Sequence, residues 1–371
     1  MVDLVSSFNF WILRRRSNSN VHKIDRYWEA LTTTTLTDHI RTMHSRGYKL
    51  QTLVHPLFFR RLHNSVRCYY QTNTTYNSYE QANTELMTDD IPTVNLAFDR
   101  LKAPNKMGLN ANPLVILHGF FGNKSNNRTL GKGLNEKLNR DVYLLDLRNH
   151  GRSPHIERHD YASMAHDVEK FIQTKINKEK KPIIIGHSMG AKVGMSVVLR
   201  KPDLCSMLVN MENAPVSKVP EGIFPRYIKA LQEIVQDESI TNSEQADKAL
   251  QRIEKNAVVR QFLMTNLTRV KKDGKNGYKS RVPLEILNDA IVKGKISGWE
   301  FNSSLNRWTG PTLFIRGTES NYVADEYLPA IGNFFPNFEL RDVNAGHWVN
   351  SENPTACIDY ITDFVERHED V

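Results

Sequence analysis

Cysteine is scarce in this chain: Cys68, Cys205 and Cys357 are the three present among 371 residues, far apart and odd in number. That excludes a disulfide framework and a cysteine zinc cluster, and it fits a reducing compartment. Under those conditions Asn-x-Ser/Thr matches such as Asn123-Lys124-Ser125 have no bearing on glycosylation. Long apolar runs are also missing; none approaches the ~20 residues that a membrane-spanning helix needs. Acidic residues are few exactly where basic ones gather: residues 1–70 hold 11 Lys/Arg against 4 Asp/Glu, which accounts for +7 of the net +8. A basic balance ordinarily raises nucleic acid as a partner. Here it is confined to a segment rich in Ser, Thr, Asn and Arg, including Arg14-Arg15-Arg16, so no nucleic-acid partner is expected. Its composition is that of an organelle transit segment and predicts mitochondrial import; a disordered tail without an address is the competing interpretation. Residues 1–90 are set aside as this basic leader and a polar linker, and 91–371 as the folded domain.

What is present is concentrated in Pro182 to Gly190, Pro-Ile-Ile-Ile-Gly-His-Ser-Met-Gly. A short apolar run enters Gly-x-Ser-x-Gly, and helical character resumes from Ala191. Strand, sharp turn and helix in that order make a nucleophile elbow, which lifts the Ser188 hydroxyl clear of a sheet. The helix N-terminus behind it favours developing negative charge.

A serine hydroxyl needs a base to take its proton. In an elbow-bearing fold the partners follow the serine, acid before histidine. Only His347 and His368 of the thirteen histidines lie downstream. His368 sits in a charged tail and is expected at a solvated helix end. His347 sits in Asn344-Ala345-Gly346-His347-Trp348, a turn after the predicted strand Phe338 to Val343, and is the expected base. Imidazole's ordinary pKa of ~6.5 suits a proton shuttle.

The acid has three candidates. An aspartate is commonly placed three residues after a glycine that ends the next-to-last strand; here that glycine is Gly317 and the position holds Ser320. Glu319 is one place off and alternation turns it away. One strand earlier, Glu212 follows Ser206 to Met211 on the sheet end where Ser188 should emerge, and it is preferred over Glu319 and Asp325. For the oxyanion, the expected donors are the backbone N–H groups of Met189 and of Phe120, the latter in His118-Gly119-Phe120-Phe121-Gly122. His118 and Asp146 precede the elbow and are expected to order loops. His155-x-x-x-His159 has metal-ligand spacing, but Pro154 and the lack of an adjacent glutamate argue against zinc, and no metal is expected.

Predicted strands near Val94–Leu101, Leu114–Leu117, Val142–Asp146, Ile183–Ile185, Ser206–Met211, Thr312–Arg316 and Phe338–Val343 alternate mostly with helical patterns. That order predicts an α/β fold with a mostly parallel, doubly wound sheet. The stretch from about 216 to 310, after the strand ending at Glu212, is too long for an ordinary crossover and is expected to be a helical lid. Ile228, Leu231, Ile234 and Val235 mark one helix, a capping box at Thr241-x-x-Glu244 a second, and Leu284, Leu287 and Ile291 a third. Trp299 and Trp308 are assigned to lid packing. The basic loop Lys271 to Lys279 could meet phosphates of a donor, although a solvated loop is the simpler interpretation.

Several stretches together resemble the α/β-hydrolase superfamily. They are His118-Gly119-Phe120-Phe121-Gly122-Asn123, Asp146-Leu147-Arg148-Asn149-His150-Gly151, Gly186-His187-Ser188-Met189-Gly190, Glu212-Asn213-Ala214-Pro215, Ser320-Asn321-Tyr322-Val323 and Ala345-Gly346-His347-Trp348-Val349. Within that superfamily the chain resembles the yeast ethanol acetyltransferases and their mitochondrial esterase relatives. The resemblance runs from about Asn95 to Glu369. It implies an acid placed after the earlier strand, on Glu212, with glutamate standing where aspartate is commoner. It further implies acetyl transfer from acetyl-CoA to ethanol, with acetyl-CoA as a substrate and no bound cofactor. A serine esterase or thioesterase without transferase activity is the alternative, and a non-catalytic binding protein of the same fold the third.

Overall fold

The structure, a computed structural model, describes residues 87–218, 223–272 and 274–369. The basic leader, Cys68 and most of the linker therefore lie outside the described residues. Strands β1 (Phe98–Leu101), β2 (Leu114–Leu117), β3 (Val142–Leu145), β4 (Ile183–His187) and β5 (Met207–Met211) precede the insertion. Within the insertion β6 (Leu267–Lys272) and β7 (Lys275–Ser280) pair with each other, and β8 (Thr312–Gly317) and β9 (Phe338–Val343) follow it.

The main sheet has the order β1-β3-β2-β4-β5-β8-β9. All its pairings are parallel except β1 against β3. Central strands covered on both faces must be apolar along their whole length, and Ile183, Ile184 and Ile185 are fully buried for that reason. Each such side chain is worth about 1.5–3 kcal/mol of burial.

Helices cover both faces. α1 (Arg128–Leu138) buries Leu130, Leu134 and Leu138 at helical spacing, and Asn139 at φ 44° ends it in the left-handed region. α2 (Tyr161–Lys175) starts at Asp160, whose carboxylate accepts the Ser163 N–H at 2.7 Å. α3 (Met189–Arg200) is buried along its length. α1 packs against the C-terminal helix, while α2 and α3 pack together. No described helix is long and apolar enough to cross a membrane.

The insertion is more varied than its periodicity predicts. α4 (Ile223–Gln236) buries Ile228, Leu231 and Ile234 as expected, with Val235 half-buried and Tyr227 buried beside them, and α7 (Leu284–Val292) buries the expected Leu284, Leu287 and Ile291. Between them run α5 (Ser243–Leu250) and α6 (Ala257–Met264). The cap of α5 falls one residue later than Thr241: Asn242 accepts the Gln245 N–H at 3.0 Å, and Gln245 Oε1 accepts from the Thr241 and Asn242 amides. Glu244 takes no part in that cap.

The basic stretch is also no open loop. It forms the β6–β7 hairpin, registered Lys272 against Lys275, with Gly274 at φ 79°. Asp-Gly between two strand-like runs is the local signal for such a turn. Trp308 is buried and donates to the Pro202 carbonyl at 3.1 Å, and Trp299 packs on Phe301 and Phe334. The chain closes with α8 (Leu328–Phe334), α9 (Val349–Glu352) and α10 (Pro354–Glu369).

Candidate active site

Ser188 follows β4 directly and stands at φ 53° and ψ −115°, the strained turn expected of an elbow. Its N–H donates to the Met211 carbonyl at 2.8 Å, so the turn is locked to the end of β5. The flanking glycines are required by close approach. A Cβ on Gly186 would lie 2.3 Å from the Gly190 carbonyl oxygen, and one on Gly190 would lie 2.6 Å from the Leu117 carbonyl oxygen.

Glu212 begins the loop after β5, the neighbouring strand, and its N–H donates to the Ile315 carbonyl of β8 at 3.0 Å. It too has a positive φ, 61°. Its side chain is fully buried and held at both oxygens. The Gly317 N–H donates to Oε1 at 2.6 Å, and the Ser320 hydroxyl donates to Oε2. Burial pushes the Glu212 carboxyl up from the ordinary range, and those two hydrogen bonds oppose the rise. Thus the serine at the commoner acid position braces the carboxylate from the neighbouring strand.

His347 follows β9, two strands further along the sheet. Its Nδ1 lies 3.1 Å from Glu212 Oε2 and its Nε2 lies 2.9 Å from Ser188 Oγ. With the proton on Nδ1, the imidazole donates to Glu212 and accepts the Ser188 hydroxyl, one unbroken line. Tyr322 stacks on the imidazole, centroids 3.9 Å apart. His187 Nε2–H donates to the His347 carbonyl at 2.8 Å, and burial pushes His187 down to about 4, so it stays neutral.

Three of the predicted side chains thus meet, from the ends of β4, β5 and β9. The other candidates stand apart: Glu319 is exposed, Asp325 pairs with Arg316 at 2.5 Å, and His368 pairs with Glu339 at 3.0 Å.

The loop after β2 closes by a Gly122 N–H to Gly119 carbonyl bond of 2.9 Å. The Phe121 N–H donates to His150 Nε2 at 3.3 Å, and Phe120 lines the cavity beside Ser188, as does Gly119. His150 Nδ1–H donates to the Arg148 carbonyl, and His118 Nε2 accepts the Leu147 N–H at 3.0 Å. Burial holds both imidazoles below the ordinary range, which keeps the accepting nitrogens unprotonated. His118 therefore orders the loop, as its position before the elbow predicts. Asp146 accepts from the Lys124 amide, the Lys124 ammonium and the Arg152 amide. His159 is buried against Phe120 and His150, while His155 is exposed.

Two cavities meet at Ser188. One has Phe120, Phe224, Phe262, His347 and Trp348 in its walls. The other shares Phe120 and Phe224 but is lined by Tyr161, Lys192, Asn213, Lys218 and Tyr322. These contacts of Ser320, Tyr322 and Lys192 were not foreseen. Ser320 stood out only by holding the usual acid position, and Lys192 as a charge in a mostly apolar helix one turn after the nucleophile.

A model of the α/β-hydrolase fold matches residues 112–354. A probable alcohol acetyltransferase of Saccharomyces cerevisiae is 57% identical over 267 residues, covering 70% of this chain and 78% of that one. An sn-1-specific diacylglycerol lipase of Xenopus laevis is 38% identical over 259 residues, covering 68% and 80%. Among solved structures, a marine microorganism esterase is 31% identical with a TM-score of 0.65, covering 73% of this chain and 100% of its own.

Proposed function

Because the chain belongs to the α/β-hydrolase family, we propose that it is an alcohol O-acetyltransferase that makes ethyl acetate from acetyl-CoA and ethanol through an acyl-enzyme on Ser188. The observation that carries the chemistry is the Ser188–His347–Glu212 line, with hydrogen bonds of 2.9 and 3.1 Å. His347 takes the Ser188 proton as Oγ attacks the thioester carbonyl. Glu212 holds the imidazole in the accepting tautomer and stabilises its charged form. The amides of Phe120 and Met189 donate to the oxyanion; one such donor is worth about 2.7–4 kcal/mol of transition-state stabilisation. His347 then protonates the departing thiolate. Ethanol attacks the acyl-enzyme with His347 again as base, and ethyl acetate leaves. Water in place of ethanol gives ester and thioester hydrolysis as side reactions.

Transfer to an alcohol is favoured by the 57% identity to a probable alcohol acetyltransferase. A second reading, a serine esterase or lipase without transfer, is favoured by the diacylglycerol lipase at 38% identity. The partition depends on how well the site excludes water and positions alcohol. The insertion supplies Phe224 and Phe262 to one cavity wall, the part of a lid.

Incubation with acetyl-CoA, with and without ethanol, separates the two. Ethyl acetate forming only with ethanol is expected; acetate as the sole product in excess ethanol selects the hydrolase. Fluorophosphonate labelling of Ser188 distinguishes either enzyme from a binding protein of the same fold. The basic leader is proposed to direct the chain to mitochondria, which a fluorescent fusion with and without residues 1–90 tests.

A further inference from the structure

Among the described residues six lysines and arginines are buried: Lys124, Arg140, Arg148, Lys192, Arg200 and Arg260. Five of them face a carboxylate, respectively Asp146, Glu369, Asp167, Glu169 and Asp247 with Lys192 left out. Lys192 has no carboxylate: its ammonium donates to Val216 at 2.8 Å, reaches Gly298 at 3.5 Å, and lies 5.3 and 6.0 Å from the centres of the Tyr161 and Trp299 rings. Carbonyl dipoles soften the desolvation of a buried cation without cancelling its charge. Burial and the nearby charge of Lys218 push Lys192 down to about 8, which leaves it protonated at neutral pH.

Lys192 lines the second of the two active-site cavities together with Ser188 and Lys218, and among the described residues no Asp or Glu lines it. Lys218 donates to the Asn321 carbonyl at 2.7 Å and lies 4.7 Å from the centre of the Tyr322 ring, the same ring that stacks on His347. Two cations thus border a space that opens on the nucleophile. Among the described residues the other cavity has neither lysine nor arginine in its walls.

We propose that this cavity is a subsite for an anionic group on the substrate, a carboxylate a few bonds from the scissile carbonyl, held by Lys192 and Lys218. The carboxylate completes the ion pairing that Lys192 lacks, and charge-assisted hydrogen bonds make the contact selective. The inference rests on the Ser188 acyl-enzyme but not on acetyl-CoA and ethanol as the substrate pair. It extends the chemistry to half-esters of dicarboxylic acids or to esters of hydroxy acids.

The test compares two substrate pairs on the full chain. Mono-p-nitrophenyl glutarate against p-nitrophenyl butyrate places the carboxylate on the acyl side. 3-(Butanoyloxy)propanoate against ethyl butyrate places it on the alcohol side. The wild type should favour the anionic member of one pair in kcat/KM, and the favoured pair identifies the side. Lys218→Gln and Lys192→Gln should each lower that ratio by about tenfold, mainly through KM. A role for Lys192 in tying α3 to the chain after β5 would lower both members together and leave the ratio unmoved. Should Lys192→Gln not fold, Lys218→Gln decides alone. A neutral preference in both pairs, or ratios equal in wild type and variants, overturns the subsite while leaving the acyl-enzyme intact. A wild type that turns over no ester strikes the acyl-enzyme itself, and this inference with it.

Discussion

The sheet that carries Ser188 and the insertion that follows β5 hold their side chains by different means. Around the sheet, polar groups are fixed from several directions at once. Asp146 takes three donors, Arg148 grips Asp167 through Nε at 2.6 Å and Nη2 at 2.8 Å, and Glu212 is held at both oxygens. In the insertion, α5 and α6 are short with local caps, and Val258 and Val292 stand 67% and 72% exposed, while Arg260 is gripped from several sides, by Asp247 and two carbonyls. An over-determined network keeps a proton-transfer line within hydrogen-bond tolerance; short, locally capped helices suit a wall that shapes what enters. The contrast is a division of labour: the first region fixes the groups that make and break bonds, and the insertion supplies part of the wall around them.

Substitutions at the sheet end should therefore cost activity far more than those in the insertion. Ser188→Ala should lower turnover by roughly 10⁶ and abolish fluorophosphonate labelling, with the circular dichroism spectrum retained. Residual turnover within tenfold of wild type would remove the serine from the chemistry. Glu212→Gln comes next, at roughly 10⁴ in kcat, because an amide no longer stabilises the imidazolium or selects its tautomer. If Glu212→Gln retains near-normal kcat, the carboxylate only braces the fold.

Acid should loosen the first region before the second. His159 and His187 are buried and held down to about 3 and about 4, against an ordinary value of ~6.5. Between those values the unfolded chain binds more protons than the folded one, so stability rises with pH there. Their contribution is complete above pH ~6.5 and is lost as pH falls towards 4, on the order of 2 kcal/mol per histidine at pH 5. The raised carboxyls of Glu212 and Asp167 act in the opposite sense. Calorimetry should show Tm falling from pH 7.5 to 5, less steeply in His159→Gln; a flat profile in wild type would contradict the neutral histidines. The smallest effect belongs to the insertion. Asn242→Ala removes the α5 cap and should cost about 1 kcal/mol, read as faster amide exchange in α5, with kcat within twofold of wild type.

These two regions were also unequally legible. The elbow is written in contiguous residues, and β4 and the start of α3 followed from Ile183–Ile185 and the small residues after Ser188. His347 was reachable because only two histidines lie downstream. The insertion blurred the signal: the hairpin hid inside a basic run, and the α5 cap moved by one residue, since several polar residues there could each cap.

By itself, the order of residues determined the local geometry of this protein. Gly186 and Gly190 permit one tight turn, apolar runs demand burial on both faces, and the downstream histidines narrow the base to two. Only the tertiary structure decided which carboxylate meets the imidazole. Strand order sets β5 beside β4 and β8 next to β5, so Glu212 reaches His347 while Ser320, from the β8 loop, turns its hydroxyl onto Glu212. That adjacency arises from pairing between segments more than a hundred residues apart, which no local propensity encodes. Folding also placed Lys192 and Lys218 on one cavity with no Asp or Glu among its described lining residues, a juxtaposition that exists only once the chain has folded.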